Sequence, residues 1–152
     1  MLKTSIDPQL TRYVKIQAKK EHFVVSHVDV FAWTGGKDLT DVAQGKKAYS
    51  NCGICWGPHQ PGVITQGEAR PKNHPEEEVW HAGGRGGLSD DWVEIDLAGY
   101  YRVQKVVFYN RNSEAYAYRT EGARVILLNA NKQEIRSATL NEKLVQTLFD
   151  EK

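Results

Sequence analysis

The stretch Trp92-Val93-Glu94-Ile95-Asp96-Leu97 alternates without a break: Val93, Ile95 and Leu97 fall on one side, Glu94 and Asp96 on the other. Side chains on an extended backbone point to opposite faces in turn, so this spacing fits a half-buried strand and fits no helix. The same period recurs from Arg12 to Gln17, with Val14 and Ile16 on one face and Tyr13, Lys15 and Gln17 on the other. From Phe23 to Trp33, Val24, Val28 and Val30 are expected to face in, and His27 and Asp29 out. Glu94 and Asp96 then read as solvent-facing carboxylates.

Val103 to Tyr109 and Arg124 to Leu128 are apolar on both faces, the pattern of central strands covered on each side. Ile135 to Leu140 reads as one more strand. Asn141 to Lys152, with Leu144, Val145, Leu148 and Phe149, suits either a last strand or a short amphipathic helix. Thr34-Gly35-Gly36-Lys37-Asp38, Ala98-Gly99 and Asn129-Ala130-Asn131-Lys132 supply turns between these pieces. Many short strands with polar turns and no intervening helices predict an all-β, antiparallel sandwich or jelly roll. The 152 residues suit a single domain, 1–152, large enough to bury a core of its own.

One region breaks the rhythm. Residues 51–91 hold eight glycines, four prolines and the acidic run Glu76-Glu77-Glu78. A loop that long inside a compact domain is usually functional or disordered. It also carries the only cysteines, Cys52 and Cys55, too few for a disulfide-dense mini-protein. A disulfide or two plain thiols is the expected state of the pair. Zinc held by Cys52, Cys55, His59 and His74 is the alternative, although that histidine spacing follows no established finger pattern.

The 20 basic and 19 acidic residues leave a net charge of +1, so no charge excess points to nucleic acid or an anionic membrane. No apolar run approaches the roughly 18 residues of a membrane span, and no membrane insertion is expected. The opening Met1 to Pro8 lacks the apolar stretch of a secretory signal. Retention in the cell that makes it, origin in a longer precursor, and assembly into a particle released later all remain open, and with them an extracellular or particle-surface location.

The strand motifs carry a resemblance. Asp91-Trp92-Val93-Glu94-Ile95-Asp96-Leu97 followed by Tyr101-Arg102-Val103-Gln104-Lys105-Val106-Val107-Phe108-Tyr109-Asn110-Arg111 resembles the core of the discoidin (F5/8 type C) and fucolectin-like group, within the galactose-binding-domain-like superfamily. Tyr118-Arg119-Thr120-Glu121-Gly122-Ala123-Arg124-Val125 is similar to the segment that follows there. Arg12 to Ile16 and Ser26 to Phe31 are similar to strands that usually come late in the family, as in members whose start point is shifted. The resemblance implies an eight-stranded jelly roll and a non-catalytic, lectin-like module for a glycan or glycoprotein. Fold does not fix function, and a structural, adhesion or assembly protein of a larger particle, oligomeric or making protein contacts, is the alternative.

The resemblance also implies where a sugar would sit. His81, Arg111 and Arg119 match the histidine and two basic residues with which fucose-binding members hold their ligand. A guanidinium offers several rigid donors to vicinal hydroxyls. Trp80, Tyr116 or Tyr118 would stack on the apolar sugar face, and Glu114 lies in the same loop. Ser113 stands where the family has Asp, and Glu114-Ala115-Tyr116-Ala117 replaces a cysteine pair, which leaves the sugar's identity open. The competing reading pairs Arg111 or Arg119 with Asp96 in a structural ion pair. Calcium, common among relatives, is the one cofactor alternative: Asp38, Asp41 and Glu68 offer loop carboxylates. Against it, His27 replaces a family Glu and Gln66-Gly67 the family Asp-Gly. No catalytic constellation is expected. Ser89, Asp90, Asp91 and His81 share a loop, which is not triad geometry, and Gly83-Gly84-Arg85-Gly86-Gly87 precedes a strand, so no helix N-terminus follows to hold phosphate.

Overall fold

The computed structural model describes residues 7–55, 60–66, 79–84, 86–110 and 114–150. Among these, ten strands run in chain order: β1 (Thr11–Gln17), β2 (Val24–Trp33), β3 (Leu39–Asp41), β4 (Ala48–Ser50), β5 (Trp80–His81), β6 (Trp92–Tyr101), β7 (Val103–Asn110), β8 (Arg124–Leu128), β9 (Glu134–Thr139) and β10 (Val145–Leu148). They form two five-stranded antiparallel sheets. One has the order β4-β6-β1-β8-β9; the other has β10-β7-β2-β3, with β5 also paired to β2. Two more strands are present than the expected eight, because β3, β4 and β5 are two- or three-residue pieces too short to show a period. No described helix is long and apolar enough to cross a membrane.

Cross-strand register aligns the alternating apolar residues into rows. Val14 of β1 sits opposite Ile95 on one side and Leu127 on the other; Ile16 sits opposite Val93 and Val125. All are buried and belong to one core cluster, which the facing sheet completes with Val28, Val30, Val106 and Phe108. Aromatic rings fill one end of that cluster: Phe23 stacks on Phe108 at 5.9 Å and meets Trp80 edge-on at 6.2 Å. Each such side chain contributes about 1.5–3 kcal/mol by leaving water.

Three departures from the alternation have local causes. In β2 the register slips between Val25 and His27, a bulge that re-phases the strand. Val25, and not Val24, therefore joins the core cluster, ahead of Val28 and Val30. His27 still points away from that cluster, but it is buried, not solvent-facing as expected. Ala98-Gly99 does not end β6 either. Ala98 adopts φ 55° inside the strand, Asp96 Oδ1 accepts its N–H at 2.8 Å, and pairing resumes at Tyr101 opposite Thr11. Glu94, also expected in solvent, is only 6% exposed because Lys132 Nζ bonds its carboxylate at 2.8 Å.

The C-terminal segment resolves as strand: Val145–Leu148 pairs antiparallel with β7. The irregular stretch is partly ordered by pairing. Pro61–Thr65 forms a 3-10 turn that buries Ile64 and Thr65, and β5 adds Trp80 and His81 to β2.

Candidate functional site

Residues 18–23, which link β1 to β2, are hydrogen-bonded in succession to residues 82–83 and 87–91. The Ala18 N–H donates to Asp91 O at 2.9 Å, Ser89 N–H to Lys19 O at 3.0 Å, His22 N–H to Gly83 O at 3.2 Å, and Ala82 N–H to Phe23 O at 2.8 Å. A bridge between Lys20 and Leu88 lies among them. Glycine is obligatory at position 84, where a Cβ would strike the Cα and Cβ of Glu21. Gly83 and Gly84, at the start of the glycine-rich run, are thus fixed backbone.

On the other flank of residues 18–23 lies the 3-10 segment Glu114–Thr120 with the turn after it. Lys20 Nζ donates to Tyr118 O at 3.3 Å, lies 5.8 Å from the Tyr118 ring centre and sits 3.8 Å from Glu121. The Lys19 side chain packs along Gly122. Segments remote in sequence therefore meet at one end of the sandwich. Between residues 18–19 and 84–91 lies an open cavity of about 760 Å³, lined by Ala18, Lys19, Gly84, Leu88, Ser89, Asp90 and Asp91.

The cavity wall is rigid where Asp91 stands. Its Oδ2 accepts the Gly83 N–H at 2.8 Å, and its Oδ1 accepts Asn51 Nδ2 at 3.0 Å. Asn51 Oδ1 in turn accepts the Trp92 N–H at 3.0 Å. Beside it Cys52 and Cys55 are joined in a disulfide with Cα atoms 5.3 Å apart, one of the two states expected for this pair. Neither sulfur is a thiolate in that state, so neither is a zinc ligand. His59 and His74 lie outside the described residues.

The residues singled out for a sugar distribute unevenly. Arg111 lies outside the described residues. Arg119 is half-buried, with its guanidinium 4.3 Å from the Tyr116 ring centre and 5.8 Å from that of Tyr118. Tyr116 and Tyr118 are 40% and 49% exposed, and Glu114 is exposed beside them. His81 is 6% exposed, with Nδ1 2.8 Å from Ala82 O and its ring edge-on to His22 at 5.5 Å. It does not line the cavity. Trp80 has no face open to solvent; it packs in the core against Phe23, so it is no platform for a sugar. Arg119 does not meet Asp96 in a salt bridge: Arg12 does, with Nε at 2.8 Å from Oδ1 and Nη2 at 3.3 Å from Oδ2. That pairing, first through its hydrogen bond, holds the Asp96 carboxyl below its ordinary range and raises the Arg12 guanidinium.

A second cluster lies on the outer face of β2. His27 Nε2 is 2.7 Å from Asp29 Oδ1, and Asp41 at the end of β3 lies alongside. Asp41 Oδ1 accepts the N–H groups of Val30 and Ala43, each at 3.0 Å. Burial, opposed by those two bonds and reinforced by neighbouring Asp29, pushes the Asp41 carboxyl up to about 6. Burial works against ionisation of Asp29 too, but the hydrogen bond and charge of His27 outweigh it and hold Asp29 low. Tyr109, edge-on to His27 at 5.7 Å, is raised by burial and then by the Asp29 charge. Of the other carboxylates weighed for calcium, Asp38 is exposed before β3 and Glu68 lies outside the described residues.

Of the residues that line the cavity, the sequence motifs single out Ser89 and Asp90 only as members of a triad, and Lys19 and Leu88 not at all. Lys19-Lys20 shortly after a strand, and a lone Leu88 between glycine and serine, are the available signals. No protein-family model, curated protein or solved structure matches this chain.

Proposed function

We propose that the chain is a non-catalytic binding module that takes a glycan in the cavity at the rim of the sandwich. The observation that carries this reading is the cavity's mixed lining on fixed backbone: a lysine, a serine and a carboxylate close to an exposed apolar side chain. A sugar presents hydroxyls that both donate and accept, with an apolar ring face between them. Lys19 Nζ supplies donors, Asp90 supplies acceptors, Ser89 supplies either, and Leu88, 64% exposed, covers apolar carbons. Tyr116, Tyr118 and Arg119 extend the surface for further sugar units beyond the first. The site differs from the one implied by resemblance, since it uses Lys19 and Asp90 in place of His81 and Trp80.

The test is a glycan array probed with the whole chain, followed by calorimetry on any hit. Lys19→Ala and Asp90→Asn are expected to weaken binding at least tenfold with the melting temperature unchanged. Unaltered affinity in both variants removes the site. A blank array together with a stable oligomer by light scattering replaces the reading with the assembly one.

A further inference from the structure

We propose that His27, Asp29 and Asp41 form a binding site for a divalent transition ion, with zinc as the best match. This site is independent of the rim cavity and of any glycan. The ligand atoms, one imidazole nitrogen and two carboxylate oxygens, all lie within 4.8 Å of one another. Zinc bonds nitrogen and oxygen at about 2.0–2.2 Å, so donors on opposite sides of one ion stand up to about 4.2 Å apart. Small side-chain rotations bring the three into range.

The backbone has already fixed the parts. His27 and Asp29 are two residues apart on one strand, so both project from the same face of β2. Asp41 is held by two backbone N–H bonds to a single oxygen. The imidazole is 1% exposed, and its Nε2 faces Asp29 Oδ1 at 2.7 Å, so the nitrogen that would bond an ion already points at the carboxylates. A buried polar ring is costly unless a strong interaction holds it. Among the described residues no lysine or arginine forms a salt bridge with Asp29 or Asp41, and the imidazole of His27 is the cationic partner on hand for two adjacent carboxylates. A divalent ion would add positive charge between them. Tyr109, next to His27 in the β2–β7 pairing, is positioned to steady the Asp29 carboxylate from behind.

The donor set selects the ion class. One imidazole with two carboxylates suits zinc and its first-row neighbours, while calcium needs six to eight oxygens and gains little from an imidazole. The ion would tie the end of β3 to the middle of β2, with water completing its coordination beyond the three protein ligands.

The experiment uses the whole chain, stripped with chelator and kept oxidised so that Cys52 and Cys55 stay paired. Zinc chloride is titrated by calorimetry, with the melting temperature followed in parallel. One ion per chain and a rise in melting temperature are expected, with calcium chloride at the same concentration producing neither. Asp41→Asn, which keeps an oxygen for the two backbone bonds, is expected to weaken zinc at least tenfold while the apo protein melts cooperatively. Cobalt in place of zinc is expected to shift the His27 ring resonances, a change a purely structural imidazole would not show. Absence of zinc binding, equal affinity in Asp41→Asn and Asp29→Asn, or an unmoved His27 signal overturns the proposal.

Discussion

Gly84 and Glu21 are in such close backbone contact that no side chain fits at position 84. That contact fixes the distance between residues 18–23 and 82–91, and therefore the width of the rim cavity. Gly84→Ala must push the two segments apart, an overpacking change that costs about 1–3 kcal/mol. Urea unfolding is expected to show a lower midpoint with an unchanged slope. An unchanged midpoint would mean that the ladder is looser than its hydrogen bonds imply.

Trp80 and Tyr118 separate core from surface. Trp80→Ala leaves a large void beside Phe23 and is expected to cost about 3–5 kcal/mol. Tyr118→Ala, at a half-exposed position, is expected to change stability by no more than about 0.5 kcal/mol. Thermal melts of the two variants read this directly. A mild Trp80→Ala would return that ring to the list of surface platforms.

Arg12 and Asp96 make stability sensitive to acid. The folded carboxyl titrates below its unfolded value, so its contribution is fully present above about pH 4. It disappears as pH falls through the lower folded value. Both side chains are about a quarter exposed, which limits the pair to about 1 kcal/mol. Asp96→Asn is expected to flatten the acid limb of a stability-against-pH curve below pH 4 and to leave the slope above pH 5 as it was.

Asp41 works in the opposite direction in the metal-free protein. Its folded carboxyl is raised to about 6, so between the unfolded value and pH 6 the folded state holds the extra proton. Stability from this group is greatest below about pH 4 and declines as pH rises through 6. Asp41→Asn, which cannot ionise, is expected to remove that decline. Denaturant midpoints at pH 4.5 and pH 7.5 measure it, and an identical decline in the variant rules Asp41 out as its source.

The β framework was legible because its signal is periodic. Val14 and Ile16, Val93 and Ile95, and Val125 and Leu127 alternate in sequence and meet in register in the sheet. What escaped was whatever depends on a single irregular residue. One bulge before His27 turned an apparent surface histidine into a buried one, and one positive φ at Ala98 carried β6 past an apparent turn. Trp80 escaped for a related reason. Two paired residues flanked by glycine-rich and acidic sequence have no period, so a core tryptophan looked like a loop tryptophan. The lining of the rim cavity is not legible in the sequence, because Lys19 and Asp90 come together only once the backbone ladder aligns them.

The position of β1 in its sheet bears on how the chain is made. It emerges early, yet its two neighbours are β6 and β8, and Val14 has no complete row until Leu127 exists. A nascent chain cut short before that point exposes an apolar strand with one or both edges unpaired. Folding is therefore expected to wait for nearly the whole chain, and to be slow for its size, because its pairings span so much of the sequence.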